Sequence, residues 1–155
     1  MTDLSRAIAH GFERDYERLR LRVHELATQL SDAAFWSNPF PYGNSFGHLV
    51  LHVTGNLNYY MGAQIARTGY LRDRPREFTD TDRPSKSAVL AKFDEAVRMV
   101  ERTAEAQTSD ADWLAPYEGV GEPDAHNRFD IFLKCAMHFY HHVGQMIYLS
   151  REGSA

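Results

Sequence analysis

A long amphipathic stripe near the start of the chain restricts the fold more than any other feature. Apolar residues recur there at steps of three and four, as they do along one face of an α-helix. The stripe consists of Leu4, Ile8, Phe12, Tyr16, Leu19, Val23, Leu26 and Leu30. Charged side chains fill most of the other positions, so we expect this helix to pack on one side only. A connector of about a dozen residues follows, because prolines 39 and 41 bias the residues before them away from helical geometry.

Three further helices are predicted, over about residues 44–68, 85–106 and 128–150. Asn44 or Ser45 can cap the first of these, because short polar side chains accept hydrogen bonds from the free N–H groups of a helix start. The last helix is apolar over an arc wider than one core stripe, which indicates burial on two sides.

Two long connectors separate these helices. Residues 70–84 mix prolines with charges of both signs and are expected to form an exposed, solvated loop. Residues 108–127 are long for a connection in a compact domain, and Trp113 and Tyr117 within them could cover a site or simply pack. Four helices, no strand pattern and no internal repeat predict an all-α fold, an antiparallel four-helix bundle with long connecting loops.

Size and charge limit the function. The 155 residues fit one domain, which we place over residues 1–155. The formal net charge of −4 speaks against nucleic acid as a partner, since nucleic-acid-binding domains usually carry a basic excess. No apolar run approaches the ~18 residues of a membrane-spanning helix, and the N-terminus shows no secretory signal. The single cysteine, Cys135, is typical of a reducing compartment, so we expect a cytoplasmic protein without a membrane partner.

Histidines carry the strongest chemical signal. Of the eight in the chain, five fall in two of the predicted helices. His138 and His142 are four residues apart and therefore lie one turn apart on one helix face, while His52 lies on the core side of another helix. Three neutral imidazoles from facing helices suit Zn²⁺, Ni²⁺ or a similar cation and leave positions for water or substrate. The residues alone leave a second interpretation open, in which these histidines are hydrogen-bonded parts of the core.

Two other kinds of metal site are excluded by spacing. A carboxylate-bridged di-iron site needs inward glutamates and a Glu-x-x-His spacing, and no glutamate of this chain has a histidine three residues later. The zinc-protease spacing His-Glu-x-x-His is also absent, because Phe139 follows His138.

Two segments of the chain carry distinctive sequences around the histidines. They are residues 44–56, Asn-Ser-Phe-Gly-His-Leu-Val-Leu-His-Val-Thr-Gly-Asn, and 138–148, His-Phe-Tyr-His-His-Val-Gly-Gln-Met-Ile-Tyr. Together they resemble the two signature helices of the DinB-like superfamily. The resemblance, which extends to helix order and chain length, implies an antiparallel four-helix bundle, often a homodimer, that holds a divalent metal through three histidines. The matching positions are His52, His138 and His142. His48 and His141 match no ligand position of the family.

Some members of this superfamily are metal-dependent transferases or isomerases that use a low-molecular-weight thiol such as mycothiol, bacillithiol or glutathione. The resemblance thus implies an enzyme in which the metal lowers the pKa of a thiol or of water, with a small-molecule substrate. Asn56, Tyr59 and Gln145 could contact the cofactor or substrate, or could serve only helix packing. Cys135 lies on the same helix face as His138 and His142, and a cysteine in such a position is most often a buried free thiol rather than a metal ligand. Two alternatives stay open, a non-catalytic module for dimerisation braced by the metal and a hydrolase that activates metal-bound water.

Overall fold

Four long helices make up most of the fold in a computed structural model of the chain, which describes residues 1–79, 81–119 and 121–153. The long helices are α1 (Asp3–Thr28), α3 (Phe46–Leu57), α5 (Lys86–Glu105) and α7 (Arg128–Gly153). Each connector carries a short helix, α2 (Asp32–Trp36), α4 (Arg76–Thr79) and α6 (Asp110–Leu114), and a π-helical segment, Asn58–Ala63, continues α3. The described residues contain no strand, so the predicted all-α helical bundle is confirmed. None of the helices within these residues is long and apolar enough to cross a membrane.

Helices α1 and α7 are neighbours that run in the same direction. The ring of Phe12 lies 5.8 Å from that of Phe129 near the start of both helices. Near their ends, Ser150 Oγ donates a hydrogen bond to the Leu26 carbonyl at 3.1 Å. The two helices are therefore parallel.

Helix α3 and its π-helical continuation run opposite to α7. Tyr16 links their far ends, because its hydroxyl donates to the Phe132 carbonyl at 3.0 Å and lies 3.9 Å from Met61 Sδ. Leu49, near the start of α3, shares a cavity wall with Leu149 near the end of α7.

Helix α5 runs opposite to α1 and therefore in the same direction as α3. Ser5 Oγ donates to the Gln107 carbonyl at one end, and Lys86 Nζ donates to the Ala27 carbonyl at the other. Both α1 and α3 pack against α5 and α7, so α1 and α3 lie on one diagonal of the bundle. Because the neighbours α3 and α5 are parallel, the connector 64–85 must travel back along the length of the bundle.

The connectors contribute to the core more than the sequence predicts. The expectation of a solvated loop over residues 70–84 is wrong at Glu77, which is buried on α4. Trp113 and Tyr117 are also buried, and the indole of Trp113 donates to Ser5 Oγ at 3.0 Å. Neither aromatic residue lines the cavity beside the histidines, which favours packing over a lid.

Candidate metal centre

The three predicted histidines meet between α3 and α7. Their ligand nitrogens all lie within 4.8 Å of one another. The Nε2 atom of His138 lies 3.0 Å from Nε2 of His52 and 3.0 Å from Nε2 of His142. The spacing of four residues places the last two on one face of α7, and the opposite direction of α3 brings His52 to the same level.

Burial keeps two of the imidazoles neutral. It lowers the pKa of His138 to about 3, and the neighbouring His142 and His52 lower it further in the same direction. Burial likewise lowers the pKa of His142 to about 4, against a raising effect of its hydrogen bond to Gln145. Near pH 7 both side chains therefore carry a free electron pair on one ring nitrogen, as a metal ligand must.

The arrangement fits a divalent metal. Ligand nitrogens at about 2.0–2.1 Å from a tetrahedral zinc ion lie about 3.3 Å apart, close to the 3.0 Å separations between the Nε2 atoms. Three imidazole nitrogens that converge in this way cannot all be paired by hydrogen bonds to each other, because a ring nitrogen either donates through its N–H or accepts through its electron pair, and never does both. A shared cation satisfies all three.

A buried carboxylate supports the first ligand from behind. Nδ1 of His52 lies 2.7 Å from Oε2 of Glu77. Arg72 grips the same carboxylate with two bonds, from Nε to Oε1 at 2.7 Å and from a terminal nitrogen to Oε2 at 3.0 Å. Burial raises the pKa of Glu77, but the hydrogen bonds from His52 and Arg72 and the charge of Arg72 outweigh it and hold the pKa below its ordinary value. Glu77 is therefore an anion at neutral pH.

The other two ligands have weaker support. His142 Nδ1 lies 2.8 Å from Oε1 of Gln145, whose Nε2 lies 3.2 Å from Nε2 of His141. His138 Nδ1 is buried and makes no hydrogen bond within the described part of the chain. His141 thus touches the site through Gln145 rather than through the triad.

An open cavity of about 600 Å³ lies over the triad. Its apolar wall is formed by Phe40, Leu49, Phe78 and Leu149, and its polar lining includes Arg74, His141 and Gln145. No Asp or Glu lines it within the described ranges. The Arg74 guanidinium lies 5.6 Å from the centre of the Phe78 ring, which places a positive charge beside the apolar wall.

The remaining candidates lie outside this cavity. Asn56 is buried one turn beyond His52, and its Oδ1 makes no hydrogen bond among the described residues. Tyr59 packs against Tyr60, and the Arg72 guanidinium lies 5.9 Å from its ring centre. Of the three residues predicted to contact a cofactor, only Gln145 reaches the cavity, and the ligand-binding role of all three stays a prediction.

Two further side chains near the histidine helices stay outside the triad. Cys135 is buried, and burial is the main effect that raises its thiol pKa well above the ordinary value. Nδ1 of His48 lies 2.8 Å from Oγ of the helix cap Ser45, and its ring packs edge-on against Trp36. Neither side chain belongs to the group of potential metal ligands.

Sequence reasoning missed Glu77 and Arg72. Both lie in the charged connector, 25 and 20 residues after His52, and no local periodicity connects them to α3. The available signal was Gly55, a glycine inside a predicted helix and one turn after His52. A Cβ atom there would lie 2.0 Å from Glu77 Oε1, so the absence of a side chain makes room for the carboxylate.

Comparison with known proteins identifies the family of the chain. No curated protein matches the sequence. The sequence pattern of the DinB superfamily matches residues 15–146, which include all three histidines and the connector that carries Glu77. The chain therefore belongs to the DinB superfamily.

Proposed function

We propose that this protein is a metal-dependent enzyme of the transferase or isomerase class that acts together with a low-molecular-weight thiol. His52, His138 and His142 hold one divalent metal, zinc or nickel, in this proposal. The observation that carries it is the convergence of three imidazoles under an open cavity of about 600 Å³. A cavity of this size accommodates a small organic molecule.

The site offers a free coordination position. Structural zinc sites are normally closed by four protein ligands, whereas catalytic sites keep a position for water or substrate. Within the described residues, no Cys, Asp or Glu joins the three histidines. This favours catalysis over a metal that only braces the bundle. A metal ion in this position lowers the pKa of a bound thiol or water and so supplies a nucleophile near neutral pH.

The charge of the cavity favours an anionic ligand. A divalent cation and Arg74 add positive charge, His138 and His142 are neutral, and the carboxylate of Glu77 behind His52 is paired with Arg72. A thiolate, or a thiol that also carries carboxylate groups, matches this charge. The thiol must come from outside the chain, because burial raises the pKa of Cys135 and keeps that side chain protonated. Use of a small thiol fits a reducing compartment, so the proposal places the protein in the cytoplasm.

The side chains around the metal have distinct tasks in this proposal. Gln145 accepts a hydrogen bond from His142 Nδ1 and fixes the ring so that Nε2 faces the metal. Phe40, Phe78 and the neighbouring leucines exclude water from the apolar part of a substrate. Arg74 binds an acidic group at the wall.

The proposal includes a homodimer. Along α7, Leu133, Met137, Tyr140 and Tyr148 share one face, and each residue is 43% to 64% exposed. Large apolar side chains that form a continuous exposed patch are a common mark of protein interfaces. A second copy of the chain is the partner proposed for this face.

Cobalt substitution tests the site and the thiol together. Tag-free protein loaded with Co²⁺ should show a new intense near-ultraviolet band when a small thiol is added at about pH 8, because thiolate–metal bonds give charge-transfer absorption that imidazole and water do not. A Cys135→Ala background removes the protein's own thiol. His138→Ala and His142→Ala should lose the metal, and His10→Ala, at an exposed position on α1, should retain it.

Two results would contradict the proposal. Full metal content in both His138→Ala and His142→Ala would show that the three histidines do not bind the metal. A cobalt spectrum that does not change when several different thiols are added would exclude a thiol co-substrate. Hydrolysis by metal-activated water, or a purely structural metal, would then be the better interpretation.

A further inference from the structure

We propose that Glu77, held in place by Arg72, is a positioning residue for the metal ligand His52, so that the connector between α3 and α5 sets the affinity for the metal. The inference rests on the proposed metal site but concerns residues outside it. It assigns a task to a charged connector whose composition suggests only solvation.

The contact fixes which nitrogen of His52 faces the metal. An ionised carboxylate only accepts hydrogen bonds, so the 2.7 Å contact with Glu77 Oε2 requires a proton on Nδ1 of His52. A neutral imidazole has one N–H, which leaves the electron pair on Nε2, the atom that faces His138. Hydrogen bonding to an anion also makes the imidazole a stronger electron donor to the metal.

The carboxylate is built into the fold. The side chains of His52, Glu77 and Arg72 are only 6%, 7% and 9% exposed. Gly55 lies three residues after His52, on the same side of α3, and leaves the space that Oε1 of Glu77 fills. Two-pronged binding by Arg72 holds the carboxylate plane in one orientation.

Stability alone explains this arrangement poorly. Removing two opposite charges from water costs free energy that their mutual attraction often only just restores, so a buried ion pair is weak evidence of a stabilising role. The pair has instead a direct consequence for the neighbouring ligand. It orients one imidazole and keeps a negative charge directly behind it.

The three ligands are unequal in this respect. His142 has a neutral amide, Gln145, as the partner of its Nδ1, and His138 Nδ1 has none within the described residues. Among the described residues, His52 is the one ligand of the three that contacts an anion. We therefore expect a change at Glu77 to weaken metal binding more than a change at Gln145.

Zinc affinity of the full chain tests the inference, measured by competition with a chromogenic chelator near pH 7.5. Glu77→Gln keeps the size of the side chain but removes its charge, and should weaken zinc binding about 10- to 100-fold. Arg72→Lys keeps a positive charge but loses the two-pronged grip, so a smaller loss is expected. Glu105→Gln, the same change at an exposed position of α5, should leave the affinity within about twofold.

Nuclear magnetic resonance of ¹⁵N-histidine-labelled protein supplies a readout that a merely structural role would not move. In zinc-loaded protein, His52 should carry its proton on Nδ1, with a resonance shifted downfield by the carboxylate. This resonance should move upfield in Glu77→Gln. If circular dichroism shows that this variant does not fold, the spectrum of the zinc-loaded unsubstituted protein tests the inference by itself. A His52 that carries no proton on Nδ1 overturns the inference.

The outcomes separate this inference from the proposed function. A chain that binds neither zinc nor nickel overturns both. Zinc binding with one ion per chain and an affinity unchanged by Glu77→Gln overturns the role of Glu77 alone.

Discussion

Replacing Gly55 by alanine tests the position of the Glu77 carboxylate through the sign of a stability change. In the interior of a helix, Gly→Ala normally stabilises a protein by about 0.5–1 kcal/mol, because glycine loses more backbone entropy on folding. At Gly55 we expect the opposite. The added Cβ would lie 2.0 Å from Glu77 Oε1 and 2.8 Å from its Cδ, whereas ordinary contact begins near 3.4 Å.

The size of the expected loss of stability follows from the contacts that the Glu77 carboxylate would lose. To reach ordinary contact it has to retreat by more than 1 Å, which breaks the 2.7 Å bonds to His52 and to Arg72. Breaking a buried ion pair costs about 3–5 kcal/mol. The higher helix propensity of alanine offsets about 1 kcal/mol of this cost. The free energy of unfolding should therefore fall by about 2–4 kcal/mol. For a chain of this length the melting temperature should fall by roughly 5–15 °C.

Urea denaturation of the metal-free protein, followed by circular dichroism, measures the change. Gly11→Ala is the matched control, because Gly11 lies inside α1 with no atom within 4 Å of its added Cβ. The control should be more stable than the unsubstituted chain by about 0.5–1 kcal/mol. If Gly55→Ala gains as much as Gly11→Ala, the Glu77 carboxylate does not lie against α3 and the support of His52 is refuted.

Three further predictions concern pH, ligand charge and assembly. The pKa values of His138 and His142, about 3 and about 4, lie below their unfolded value of about 6.5, so the unfolded chain binds more protons between these values. The unfolding free energy of the metal-free protein should therefore fall as the pH drops from about 6.5 to about 4. A His138→Gln/His142→Gln variant should show a shallower slope. Equal slopes in urea titrations would contradict this. Arg74→Gln should weaken binding of glutathione to the cobalt form about 3- to 10-fold and leave 2-mercaptoethanol, which has no carboxylate, unaffected; equal effects on both thiols would exclude Arg74 as the anion contact. Light scattering should give about twice 17.8 kDa for the chain and a lower mass for Met137→Glu, and an unaltered mass would place the interface elsewhere.

Helical periodicity explains why the histidine cluster could be predicted. The spacing of His138 and His142 fixes their common face once α7 is helical, and the core-side position of His52 on the second predicted helix made it the third candidate, which the family resemblance then matched. The cap at Ser45 was also visible, since its hydroxyl accepts from the His48 N–H in the structure. What repeats locally in the sequence was therefore predictable.

The end of the second predicted helix was less visible. It was expected to continue to about residue 68, whereas α3 ends at Leu57 and a π-helical segment, Asn58–Ala63, follows. Bonds from residue i to i−5, such as Ala66 N–H to the Met61 carbonyl at 2.9 Å, mark this widening. Such a segment adds one residue to a turn without changing the apolar pattern enough to be recognised, and it often lies close to functional sites.

The charged connector was misjudged for a reason that lies in the topology. Composition describes each of its charges alone, and an unpaired charge belongs in water. Parallel packing of α3 and α5 requires the connector 64–85 to travel back along the length of a helix. A helix rises about 1.5 Å per residue, whereas an extended chain spans about 3.3 Å per residue. The connector is therefore longer than the distance that it has to span. The spare length folds α4 against α3, where Arg72 neutralises Glu77 in contact with His52. In a bundle joined only by short hairpin loops, no segment would run along this side of α3, and His52 would lack its charged partner. The direction of two helices thus brings a carboxylate to the metal ligand, and nothing in the local sequence of either segment records that direction.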